Sequence, residues 1–325
     1  MPLAPLLTRR SKQSFVLLAL AMVATLSSVL SASAQSAVIV TDAYNRKVHV
    51  AAQANDKRPV GGLAKIAAAM VTLDWAEASK VGVNVLATVP AYAPQMVGAS
   101  RLGIQTGDRL TLRDLIYAMM MANDDTAAIT LADFVGRDHL YRLQRGGEPL
   151  AEFVRQMNGL AQREGAKNTR FTNPHGFETG RGGPYSSAAD IARLALYAVS
   201  RPAMRFYSNQ RSRNITVYRG EEQVNVPLTN TNQLLNVDRV DGVIATSTPS
   251  SGGCVVVSAE RPATVVPQAN GSSTIFRHRM MVVVIGSASP FGEAKALLSQ
   301  GWAAYDRWLA AGRPITDQEQ MLNYF

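Results

Sequence analysis

Cysteine is almost missing from this 325-residue chain: Cys254 is the single one. That excludes an intrachain disulfide and a cysteine-based metal site. Histidine is scarce as well. His49, His139, His175 and His278 lie far apart, without metal-ligand spacing, so neither a metal nor another cofactor is expected. Lysine stands only at positions 12, 47, 57, 65, 80, 167 and 295. The formal net charge is +9, yet the arginines are scattered rather than clustered. Scattered charge serves solubility and some affinity for an anionic envelope, and it argues against nucleic-acid binding. Long apolar runs are missing after residue 30, so the remaining chain is expected to be soluble.

One apolar run is present near the N-terminus. Arg9, Arg10 and Lys12 precede it, Phe15 to Leu30 form it, and Ala32-Ser33-Ala34 closes it with a small-x-small pattern. This is the layout of a cleavable signal peptide, with cleavage expected after Ala34. The run is short for a spanning helix. The Arg9-Arg10 pair raises a twin-arginine route, but polar Ser11-Lys12-Gln13 favours general secretion. No cysteine follows the cleavage site to carry a lipid. Membrane contact is therefore expected only during export, with the mature protein in the periplasm or cell envelope. Loss of the three basic residues takes the charge from +9 to +6.

The rest of the chain reads as strands at both ends and helices between. Ala37 to Val40 and Lys47 to Val50 form a strand pair. Helices are predicted over Gly62 to Ser79, Leu115 to Met121, Thr126 to Val135, Leu150 to Glu164 and Ser187 to Val199. Strands are predicted at Asn214–Tyr218, Gln223–Leu228, Gly242–Thr246, Cys254–Ala259 and Met280–Ile285, with a Pro/Gly/Ser-rich loop from Pro262 to Ser273. A final helix spans Glu293 to Leu309, its apolar face carrying Ala294, Leu298, Trp302, Tyr305 and Leu309. One sheet formed from both termini around a helical middle follows. The expected organisation is signal peptide 1–34, domain 35–312 and C-terminal tail 313–325.

Lys65 stands alone in an apolar helix that opens on Gly61-Gly62. Its stem could lie on the core with the ammonium in water, or it could be a catalytic or buried lysine with a shifted pKa and a specific partner. The surrounding blocks decide what to make of it. "AVIVTDAYNRKVHVAAQANDKRPVGGLAKIAAAMVTLD", "SRLGIQTGDRLTLRDLIYAMMMANDDTAAITLADFVG", "GAKNTRFTNPHGF" with "YSSAADIARLA", and "VPLTNTNQLLNVDRVDGVIATSTPSSGGCVVVSAER" together resemble the serine-type D-Ala-D-Ala carboxypeptidases, low-molecular-mass penicillin-binding proteins. The resemblance spans about Ala37 to Leu309. It implies an α/β (α+β) fold, β-lactamase/transpeptidase-like, with an antiparallel sheet formed from both chain ends, flanked by helices, and a mostly helical subdomain inserted.

The family works through S-x-x-K, S-x-N and K-T-G. This chain departs from all three. Gly62 stands at the nucleophile serine and only Lys65 survives of the first motif. Asn123-Asp124-Asp125 stands for the second, and Ile244-Ala245-Thr246 for the third. No lysine in the chain has a serine three residues before it, and none lies between Lys167 and Lys295, so no shift of register restores the first or third motif. Glycine has no hydroxyl, so acyl-enzyme chemistry at position 62 is excluded. By resemblance, the N–H groups of Gly62 and Ser247 would be the oxyanion donors.

Ile244 removes the cation expected to meet a substrate carboxylate, and Asp124 and Asp125 add anions. Two like charges 4 Å apart in a partly screened site repel by about 4 kcal/mol. A carboxylate-ended peptide is expected to bind poorly unless Lys65 compensates. A buried ammonium needs an anion, so Asp125 or Asp124 is expected to pair with Lys65; capping the next helix is the competing role. His175, in Asn173-Pro174-His175-Gly176, reads as a turn residue near the site, and Cys254 as a buried core thiol. The degenerate groove is thus Asn123, Asp124, Asp125, His175, Ile244, Thr246 and Ser247. The reading is an exported family relative without catalysis that binds peptidoglycan stem peptides or an envelope protein. A working carboxypeptidase with another nucleophile is the second reading. A hydrolase using the acidic cluster with a metal or water is the weakest.

Overall fold

The computed structural model describes residues 36–177 and 182–324, so the segment read as a signal peptide lies outside the described residues. In chain order these residues form β1 (Ala37–Asp42), β2 (Val48–Ala52), a 3-10 turn (Gly61–Leu63) that runs into α1 (Ala64–Ser79), β3 (Leu86–Thr88), α2 (Ala93–Val97), β4 (Arg109–Thr111), α3 (Leu112–Ala122), α4 (Asp125–Arg142) and α5 (Pro149–Arg163). There follow α6 (Ala188–Ser200), α7 (Pro202–Ser208), β5 (Ser212–Arg219), β6 (Glu222–Thr229), β7 (Val240–Thr248), β8 (Gly252–Pro267), β9 (Ser273–Ser287) and α8 (Pro290–Ala310).

The first and last strands share one antiparallel sheet in the order β2-β1-β9-β8-β7. Period-two side chains divide its two faces. Ile39, Ile244, Val256 and Val283 pack under the helices, while Val40, Val257 and Val282 pack against Trp302 and Leu298 of α8. Being covered on both sides, the strands read as near-continuous valine runs. From Ala64 to Leu73 α1 is apolar except for Lys65 and Thr72, because that stretch is buried all round, between this sheet and the other helices.

Three features differ from the sequence expectation. Asn214–Tyr218 and Gln223–Leu228 belong to β5 and β6, which join β3 and β4 in a separate four-stranded sheet. Pro262 to Ser273 is mostly not a loop: Thr264, Val265, Val266 and Pro267 pair with Phe276, Ile275, Thr274 and Ser273. Pro262 is absorbed by a register shift between Arg261 and Thr264, where a missing N–H does no harm. Residues 313–325 do not all trail away. Leu322 is fully buried, its N–H donates to Arg46 O (2.8 Å), and its carbonyl accepts from Arg193 Nη2 (2.7 Å).

Two buried ion pairs explain motif residues that carry no site chemistry. Asp241 accepts both of its bonds from Arg279 Nη1 at 2.8 Å, across the sheet. Asp190 accepts from Asn168 N (2.6 Å), Thr169 Oγ1 (2.8 Å) and Arg193 Nη1 (2.8 Å), tying α6 to the loop after α5.

Candidate functional site

The start of α1 faces the edge strand β7 across a cleft of about 260 Å3. Backbone geometry sets this approach. Gly176 has φ +83, and a Cβ there would stand 1.8 Å from Gly61 O. Only glycine lets the Asn173–Gly176 turn lie against the first turn of the helix. Asn173 closes that turn, its Oδ1 accepting from Gly176 N at 2.7 Å.

Lys65 lies on the helix at the floor of the cleft and is 2% exposed. Its Nζ donates to Asp125 Oδ1 at 2.6 Å and to His175 O at 3.1 Å. The sequence left two acids open as partner, and the structure divides the roles. Asp125 takes the lysine. Asp124 caps α4 instead, accepting from Ala127 N at 2.8 Å and from Ser100 Oγ at 2.5 Å. Burial pushes the Asp124 carboxyl above the usual range, against the pull of those bonds.

Asn123 turns the chain between α3 and α4 with φ +56. Its Nδ2 donates to Ala245 O (2.5 Å) and Thr231 Oγ1 (2.9 Å), and Thr231 Oγ1 donates to Ala245 O as well (2.9 Å). The second-motif position is thereby fastened to β7. Asn123 Oδ1 is buried, has no hydrogen-bond partner among the described residues, and lies 3.2 Å from the point where a Cβ of residue 62 would be.

Gly62 leaves a space, and Thr246 fills it. An added Cβ on Gly62 would lie 2.6 Å from Thr246 Oγ1 and 3.1 Å from Thr246 Cβ. In the family register Thr246 stands at the glycine of K-T-G. The Thr246 side chain on the facing strand thus occupies the space beside Gly62.

His175 is buried, and its pKa is pushed down to about 4, first by burial and then by the Lys65 charge, against Asp125. The ring is neutral at pH 7. Its Nδ1 accepts from Phe177 N at 3.0 Å, which leaves the proton on Nε2. Cys254 is buried, with its Sγ near Ser251 O (3.5 Å), and burial raises the thiol pKa, so a thiolate is disfavoured.

Of the residues expected at the groove, Gly62, Lys65, Asn123, Asp125, His175, Thr246 and Ser247 line the cleft together. Asp124 and Ile244 do not. Asp124 is turned to its capping role. Ile244 is fully buried in the core beneath, because an isoleucine side chain gains by leaving water where a lysine would not. Thr248, which the sequence offers beside Ser247 as a ligand-binding hydroxyl, lines the cleft, and so do Arg101, Phe177, Thr231 and Phe291, which carry no mark in the sequence. Arg101 matters most, since it brings a second cation to the cleft beside the buried Lys65.

Residues 23–268 match the model of the D-alanyl-D-alanine carboxypeptidase family, peptidase S11. The D-alanyl-D-alanine carboxypeptidase DacF of Bacillus subtilis is 26% identical over 235 residues, covering 72% of this chain and 56% of the relative. DacD of Escherichia coli is 29% identical over 213 residues, covering 64% and 46%. The chain therefore spans about half the length of these curated relatives. A crystal structure of a Streptomyces DD-transpeptidase superposes with a TM-score of 0.69 at 23% identity, over 82% of this chain and 97% of that one. DacD from Francisella tularensis gives 0.63 at 21%, over 81% and 69%. At such identity these two structures speak for the fold, which is the β-lactamase/transpeptidase-like architecture expected from sequence.

Proposed function

Because the chain belongs to the D-alanyl-D-alanine carboxypeptidase family, whose acyl transfer rests on a serine this chain lacks, we propose that it is an exported binding protein of the cell envelope rather than a peptidase. Its ligands on this reading are peptidoglycan stem peptides, held in the inherited cleft without being cut. The observation that carries the reading is the pair Gly62 and Thr246. No hydroxyl stands on the helix at the nucleophile position, and a threonine side chain occupies the space that the serine would need. Lys65 supports it, since its Nζ is bonded to Asp125 and His175 O, and no serine is among its hydrogen-bond partners in the described residues.

The cleft also suits a peptide better than the sequence implied. The repulsion expected from two acids is muted, because Asp125 pairs with Lys65 and Asp124 is turned into a helix cap. Arg101 offers a cation at the cleft wall, and Ser247 and Thr248 offer hydroxyls along β7.

A second reading is an active serine-type carboxypeptidase in peptidoglycan remodelling, and the relatives' names favour it. Incubation with a fluorescent penicillin followed by a denaturing gel separates the two. The binding reading expects no covalent label together with measurable affinity for purified muropeptides. A labelled band would overturn it. No label and no muropeptide binding would move the ligand to an envelope protein.

A further inference from the structure

β8 and β9 run past their neighbours. β9 pairs with β1 only from Met280 to Ile285, and β7 pairs with β8 only from Gly252 to Ala259. Beyond Arg279, whose carbonyl still accepts from Ala43 N (2.8 Å), the two strands pair among the described residues with each other alone, out to Pro267 and Ser273. A two-stranded ribbon with both edges free is marginal in water and usually has something to dock on.

The side chains of this arm point to what that is. Val265 lies opposite Ile275, so the two share a face, and they are 56% and 63% exposed. Phe276, opposite Thr264, is on the other face, where the Arg313 guanidinium stands 4.5 Å from its ring. The end of α8 fixes that arginine. Gly312 N donates to Leu309 O (3.0 Å) and Arg313 N to Trp308 O (2.9 Å), a Schellman turn that throws residue 313 back over the arm.

At the base of the arm lies a cleft of about 330 Å3 whose walls include Tyr44, Asn45, Ile275, Phe276, Arg277 and Arg313. Among the described residues, two guanidinium groups reach it and no carboxylate lines it. The acids nearby are occupied: Asp42 accepts from Tyr44 N (2.7 Å) and Asn45 N (2.9 Å), Asp306 holds Arg261 (3.0 Å), and Glu260 pairs with Arg279. From Arg261 to Gly292 the chain contains no Asp or Glu.

We propose that the arm docks on an anionic phospholipid surface, with Arg277, on the same face as Ile275, on lipid phosphates and Val265 and Ile275 entering the acyl boundary. Arginine beside exposed aliphatic side chains suits a surface that is negative outside and apolar within. Charge also disfavours a second copy as the occupant, because pairing two arms would bring like arginines together. The site is separate from the cleft at Gly62 and does not rest on the function proposed for it. It extends the sequence expectation, which confined membrane contact to export.

The test is co-sedimentation of the unit from Ser36 onward, which holds the whole core described above, so that the apolar N-terminal segment contributes nothing. Vesicles of phosphatidylglycerol mixed with phosphatidylcholine are compared with phosphatidylcholine alone. Binding is expected only with the anionic vesicles, falling as salt rises. Arg277→Glu, and separately Val265→Asp with Ile275→Asp, should each weaken it at least about tenfold while leaving the far-ultraviolet circular dichroism unchanged. Equal binding to both vesicle types, or binding indifferent to both variants, would overturn the proposal. So would binding of inorganic phosphate alone without vesicles, which marks a free-anion site, or a variant-sensitive dimer in analytical ultracentrifugation, which marks a second copy.

Discussion

The Thr246 hydroxyl stands 2.6 Å from the place a Cβ on Gly62 would take. The threonine side chain takes up the volume that any side chain at position 62 would need. Restoring the serine alone therefore meets an occupied site. Gly62→Ser should lower stability by about 1–3 kcal/mol through overpacking and should not restore labelling by penicillin. Gly62→Ser with Thr246→Gly should fold more stably than the sum of the two single changes, with a coupling of about 1 kcal/mol or more. Urea denaturation of the four proteins measures this. Additive effects would show that the two side chains do not compete for one volume.

The Lys65–Asp125 pair is a structural element in this chain. Lys65 is almost wholly buried, while the Asp125 side chain is 21% exposed. Asp125→Ala leaves a buried ammonium with only His175 O and should cost about 3 kcal/mol, near the low end for breaking a buried pair because of that exposure. Lys65→Met with Asp125→Ala should cost less than Asp125→Ala alone, since no charge is stranded. A destabilisation below about 0.5 kcal/mol for Asp125→Ala would place the pair among ordinary surface bridges.

Some of this could be read along the chain and some could not. The valine runs at Ala37–Val40 and Met280–Ile285 announced buried strands, and Asn123-Asp124-Asp125 announced a helix boundary, because those signals are local. The partnership of Lys65 with an acid followed from burial alone. The occupation of Gly62's space by Thr246 did not, because 184 positions separate the two and only the packing of α1 on β7 joins them. Arg101 and Thr231 were missed for the same reason: neither has a spacing that marks it. The arm was read as a loop because Pro262, Pro267 and Asn270-Gly271 are turn chemistry, and they outweighed Thr264-Val265-Val266 between them.

Stability should fall with acid over a window set by His175. Burial holds its folded pKa at about 4 against an ordinary value of 6.5, so the unfolded chain binds the proton first as pH drops. The histidine contribution is intact above pH 6.5 and is lost progressively down to pH 4, by up to about 3 kcal/mol. His49, also pushed down to about 4 by burial, adds the same sign. Asp124 works the other way, because its raised pKa favours the folded state as it protonates in acid. The denaturation midpoint of wild type and His175→Gln, followed from pH 7.5 to 4, should show a shallower slope in the variant. Parallel slopes would mean that His175 is not held neutral.

Removal of residues 313–325 should destabilise the domain, although the sequence set them outside it. Leu322 buries its whole side chain, which at a full leucine's transfer free energy is worth about 2 kcal/mol. Its carbonyl accepts from Arg193, whose guanidinium is nearly buried beside Asp190, and its N–H closes onto Arg46. Truncation after Gly312 takes all three away. The loss should exceed about 2 kcal/mol, because a buried donor to the lost carbonyl is also left to find another partner. Leu322→Ala should account for about half of it, since alanine keeps the backbone bonds. Chemical denaturation of both forms gives the comparison, and a truncated chain as stable as the intact one would show that the tail only rests on the surface.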